Sequence, residues 1–115
     1  MKALQAKGYE FWISRQVIRE YLVVKSRFMV ENNKFDANEL AEDIKTFENQ
    51  YFVADENQTT TNLLLNLIAK YKISGKKVHD CNIVATMLEN SIPEIITNNV
   101  QDFDRFTSEL TIVGL

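Results

Sequence analysis

Apolar positions along the chain fall into two alternating patterns. Short, nearly continuous runs, YEFWI (9–13), YFVAD (51–55), PEIIT (93–97) and LTIVG (110–114), predict buried strands. Between them the spacing is helical. Val17, Tyr21, Val24 and Phe28 form one line with Ile18, Leu22 and Met29 beside it, which predicts a well-buried helix starting after Ser14 as N-cap. Asp36 with Glu39 predicts a capping box for a helix from about Ala37 to Glu48, whose apolar face is Ala37, Leu40, Ala41, Ile44 and Phe47. After the polar turn NQTTT, Leu64, Leu67, Ile68 and Tyr71 line a third helix, flanked by Leu63 and Leu65. The loop KISGKKVHD leads into a fourth, followed by NNVQDFDRF as a turn or short helix. Residues 2–7 read as the end of a further helix, stopped by Gly8 at C′. Strands of this kind separated by helices predict an α/β fold: a mostly parallel sheet covered on both faces, with right-handed connections.

The 115 residues suit one domain, 1–115, able to bury about two-thirds of its unfolded surface. No internal repeat or linker divides it. Hydrophobic content of 45% with 25% charged residues, three Gly and one Pro, excludes fibrous, low-complexity and disordered classes. The single cysteine, Cys81, allows no internal disulfide and fits a reducing cytosol. With no apolar leader region and no run near the roughly 20 residues of a membrane span, the chain is expected to be cytoplasmic, neither exported nor inserted. A net charge of −3 gives no overall signature for nucleic acid. Its distribution is uneven. Residues 1–27 hold six basic and two acidic groups, 28–60 two and eight, 61–90 four and two, and 91–115 one and four. Basic flanks around an acidic middle fit a local rim for a polyanion, or simply solvated faces.

Candidate chemistry centres on Asp80. On a helical wheel Ile83, Val84, Met87 and Leu88 lie within about 80° of it, so the acid sits at the centre of the apolar stripe. It reads either as an N-cap or first-turn acid, or as a buried carboxylate that needs a donor or a cation. Thr97, Asn98, Asn99, Asp102 and Asp104 cluster just past the end of a predicted parallel strand, where open α/β sheets place their sites. An ordinary polar turn is the other reading, with Phe103 and Phe106 as core anchors. Glu20 lies at the edge of its helix's buried face, solvated or salt-bridged to Arg19 or Lys25, or functional. Three separated acids suit a hard cation such as Mg²⁺ or Mn²⁺, which can activate water and steady the leaving oxygen in phosphodiester cleavage. His79 and Cys81 point different ways on their helix and lack the partners a zinc or thiol site needs. Tyr9, Phe11 and Trp12 read as core. Neither a Gly-rich phosphate loop nor a G-x-S-x-G elbow occurs.

The succession ISRQVIREYLVV, HDCNIVATMLENSIPEIITNNVQDFDRF and LTIVGL resembles the PIN domain, in particular the VapC-like toxin ribonucleases of bacterial toxin–antitoxin pairs. The resemblance covers nearly the whole chain in element order, and its most specific part is H-D-x-x-I-V-A-T-M-L followed by T-x-N-V-x-D-F. It implies a three-layer α/β/α domain that holds Mg²⁺ or Mn²⁺ on acidic residues and hydrolyses RNA. Glu20 matches the acid on the helix after the second strand, and Asp80 the acid at the start of the later helix. Asn99 matches a position that is often Asp, and Asp102 the acid of the D-F pair. Arg15 and Arg19 would contact RNA phosphates. The family's first strand, ending in a metal-binding Asp, would precede residue 1, so the resemblance implies an N-terminally truncated domain with weak or no cleavage. The other class of function is a degenerate, non-catalytic interaction module that dimerises or binds an antitoxin. A homodimer is expected either way.

Overall fold

The computed structural model describes residues 10–115. The predicted helix end at 2–7, Gly8 and Tyr9 lie outside them. Nine elements follow in order: β1 (Trp12–Ser14), α1 (Arg15–Glu31), α2 (Ala37–Gln50), β2 (Phe52–Ala54), α3 (Gln58–Tyr71), α4 (Lys77–Glu89), β3 (Glu94–Thr97), a 3-10 helix (Val100–Phe106) and β4 (Thr111–Gly114). The chain is mixed α/β, with every ladder parallel, and divides into two compact units, Met1–Ala54 and Asp55–Leu115. The expected single sheet is instead two pairs, β1–β2 and β3–β4. Each strand has three or four residues and one hydrogen-bonded neighbour, and no strand among the described residues bridges β2 to β3.

In the first unit β1 pairs with β2 in the register Trp12↔Phe52, Ile13↔Val53, Ser14↔Ala54, and Trp12 stacks on Phe52 with centroids 5.0 Å apart. The strand ends where the helix begins because Ser14 does both jobs. Its backbone is extended, and its hydroxyl accepts from the Val17 N–H at 3.1 Å, satisfying a first-turn donor. Asn33, in the left-handed region at φ 54°, closes the turn to α2. Asp36 caps α2 by accepting from the N–H groups of Asn38 and Glu39.

Both apolar lines of α1 are expected from the sequence to be buried, and most of the first is exposed instead. Ile18 and Met29, on the second line, are buried, whereas Val17, Val24 and Phe28 are 40%, 66% and 54% exposed. The reason is where α2 docks. It meets α1 through Tyr21, whose ring packs edge-on against Phe47 at 4.9 Å and whose hydroxyl donates to Asp43 at 2.5 Å. Lys25 reaches the same carboxylate at 3.2 Å. Only the arc running from these residues toward Ile18 and Met29 is covered within the unit.

The second unit holds a contiguous core: Leu67, Ile73, Cys81, Val84, Ala85, Met87, Phe103, Phe106 and Leu110. Its α3 follows the sequence pattern closely, with Leu67 buried, Leu63, Leu64, Ile68 and Tyr71 packed on the core, and Leu65 57% exposed. A reciprocal capping box, Asn57 with Thr60, starts it, and Lys72 in the left-handed region ends it. Four consecutive residues of α4, Val84–Met87, are buried, so this helix is covered nearly all round rather than along one stripe. β3 and β4 pair through Glu94↔Thr111 to Thr97↔Gly114, joined by a crossover that contains the 3-10 helix. Phe103 and Phe106, 5% and 1% exposed, anchor that crossover in the core.

Candidate functional site

Helix α4 positions Asp80. The helix starts at Lys77, inside the predicted loop, with Lys76 at the N-cap and no side-chain cap. Asp80 is therefore a first-turn acid and not the N-cap. It is half-buried, makes interactions of its own, and complements the positive helix end. The most buried residues of α4 are Cys81, Val84 and Ala85, all at 0% exposure. They move the axis of the buried face about 95° away from Asp80, so the carboxylate borders the core instead of sitting at its centre. His79 faces outward and Cys81 inward. Burial pushes the Cys81 thiol up from its ordinary pKa, with the Arg105 charge acting weakly the other way.

The 3-10 helix and α4 pack against each other. Asn99 is the N-cap of the 3-10 helix and Asp102 lies in its first turn. Both are exposed. The Asn99 N–H donates to the Thr97 hydroxyl at 3.0 Å, and the Asp102 N–H to the Asn99 carbonyl at 3.0 Å. The segment is thus a tight polar turn directly after the C-terminal end of β3, with its side-chain oxygens turned to solvent. Asp80, Asn99 and Asp102 belong to packed elements of one unit. Their donors are all oxygen, which suits a hard cation in kind, although among the described residues no three His, Cys, Asp or Glu side chains are grouped so as to hold a metal ion.

Glu20, Arg15 and Arg19 lie on α1 in the first unit, and all three are exposed. Glu20 accepts from the Gln16 amide at 3.2 Å. Lys25, one of its expected partners, is engaged by Asp43 and Glu39 at 3.2 and 3.7 Å. An open cavity of about 360 Å³ in this unit is lined by Glu10, Phe11, Glu48, Asn49, Gln50, Tyr51 and Phe52, none of them a predicted site residue.

Two polar clusters escaped the sequence reading. Asp43, outside the apolar face assigned to α2, accepts from Tyr21 and Lys25. The hydrogen bond from Tyr21 holds its carboxyl below the usual range, and the same bond raises the Tyr21 phenol. Its position about 40° from Phe47, at the edge of the apolar face on the wheel of α2, was the available signal. In the second unit Lys70 donates to Glu109 at 2.6 Å and Tyr71 to the same carboxylate at 2.9 Å. The Tyr71 and Ser108 hydroxyls are 2.8 Å apart. This cluster ties α3 to the entry of β4. At the other end of α3, Asn57 bonds Glu89 at 3.3 Å, Asn90 bonds the Asp55 carbonyl at 3.4 Å, and Asn82 bonds Glu56.

No family model, curated protein or solved structure matches this chain. Among the described residues no helix is long and apolar enough to cross a membrane.

Proposed function

We propose that the chain is a PIN-type ribonuclease domain, with Asp80, Asn99 and Asp102 as the oxygen ligands of an Mg²⁺ or Mn²⁺ ion. The observation that carries this reading is the placement of Asp80. A half-buried acid opens a core helix, on an element packed against the turn that bears Asn99 and Asp102 just beyond a parallel strand. A divalent cation bound there would supply charge stabilisation at a scissile phosphate. The chain's own residues supply position: the buried face of α4 fixes Asp80, and Phe103 and Phe106 fix the turn. Glu20 is proposed as a further ligand, and Arg15 and Arg19 as phosphate contacts, on the resemblance alone. The three-layer PIN architecture, the toxin role and the homodimer belong to the same proposal.

The purified full chain, incubated with RNA in Mn²⁺, is expected to cleave weakly, and cleavage stops with chelator and in Asp80→Asn. Equal cleavage by Asp80→Asn removes the site assignment.

A second reading, a non-catalytic module that binds an antitoxin or a second copy, is favoured by the exposed apolar stripe Val17, Val24 and Phe28 on α1. Failure of the parent to bind any metal at millimolar concentration selects it over the ribonuclease.

A further inference from the structure

Residues 70–77, KYKISGKK, carry four lysines and no acid. Lys70 is taken up by Glu109. Lys72, Lys76 and Lys77 are exposed and make no ion pair among the described residues. They are not strewn along a loose loop. Ile73, 6% exposed, plugs the connection into the core, and its N–H closes back on the Ile68 carbonyl at 3.1 Å. Gly75, at φ +63°, takes the left-handed turn of the connection, and the Val78 N–H bonds the Gly75 carbonyl at 3.1 Å.

Two of these three cations are placed against the local field. Lys76 and Lys77 sit at the positive end of α4, where basic side chains are disfavoured, and like charges close together repel. Lys72 follows the C-terminus of α3, where a cation is favoured, and none of the three lysines forms an ion pair among the described residues. What the arrangement favours is a polyanion whose phosphates would neutralise all three. Lys77 stands three residues before Asp80, one turn along the same helix face, so a chain held on these lysines runs past the proposed site.

We infer that Lys72, Lys76 and Lys77 form a docking surface for the phosphate backbone of RNA. The choice of RNA among polyanions rests on the ribonuclease reading. The surface itself rests on the charge and geometry of residues 72–77. It is separate from Arg15 and Arg19, which lie in the other unit.

The test is fluorescence anisotropy of a labelled single-stranded RNA with the full chain in EDTA, where neither metal nor cleavage contributes, across a salt series. The triple variant Lys72→Gln/Lys76→Gln/Lys77→Gln is expected to bind about ten-fold more weakly, with the slope of log K against log salt smaller by about 2, as for three lost phosphate contacts. A charge-matched control, Arg27→Gln/Lys34→Gln/Lys45→Gln, is expected to match the parent. Parent-like affinity and slope in the triple variant, with an unchanged circular dichroism spectrum, overturn the inference and leave the ribonuclease reading intact. An equal loss in the control overturns it too, as does binding to phosphatidylserine vesicles in place of RNA. Loss in the triple variant alone, with no Mn²⁺-dependent cleavage by the parent, upholds the surface and defeats the ribonuclease reading.

Discussion

Asp80 and Cys81 are neighbours with opposite fates, and a single step of 100° along α4 separates them. Cys81 is at 0% exposure with its thiol pushed up by burial, so it behaves as a small core residue rather than a nucleophile. A thiol reagent such as DTNB is expected to leave the native chain unmodified at neutral pH and to react fully once urea unfolds it; rapid native labelling would show that this face of α4 opens. Asp80 was legible as an unusual residue because its neighbours at helical spacing are apolar. Its offset from the axis of the buried face was not legible, because that axis depends on Cys81 and Ala85 being wholly enclosed, which the 3-10 helix and α3 decide. Asp43 shows the same limit. A carboxylate beside Phe47 on the wheel of α2 looks solvated until Tyr21 arrives from another helix to donate to it.

Among the elements, the local signals held where they are local. Ser14, Asp36 and Asn57 each cap the helix they announce, and α3 buries the side its pattern marks, because side-chain caps and a one-sided apolar stripe need no distant information. On α1, by contrast, two apolar lines compete, and the docking of α2 selects one. Met29→Ala, at a site 2% exposed, is expected to cost about 2–5 kcal/mol, whereas Val24→Ser, at 66%, should stay within about 0.5 kcal/mol. Urea denaturation of the two variants checks this, and a large loss for Val24→Ser would mean that the stripe is covered. Strand pairing was the least legible feature. A short apolar run predicts a strand but names no partner, and four such runs make two separate ladders as readily as one sheet.

For the molecule as a whole, charge sets how stability responds to pH. Hydrogen bonds from Lys70 hold the Glu109 carboxyl below its usual range, as those from Tyr21 do for Asp43. Their contribution is present above the unfolded values near 4 and is lost as pH falls through the depressed native values. Lys25 and Lys70 are raised by hydrogen bonding to those same carboxylates, so their contribution is present below about pH 10 and lost as pH rises through the native values. Urea midpoints should therefore be flat across neutral pH and fall on both sides. The effect is modest, since these groups are solvated, and the double variant Asp43→Asn/Glu109→Gln flattens the acid limb. A midpoint that rises on acidification would contradict the assignment. A metal held on Asp80 is tested by Mn²⁺ binding, followed by the electron paramagnetic resonance of the free ion. The parent is expected to bind at millimolar concentration and Asp80→Asn about ten-fold or more weakly; equal binding by the two proteins, or none by the parent, would remove the metal from Asp80.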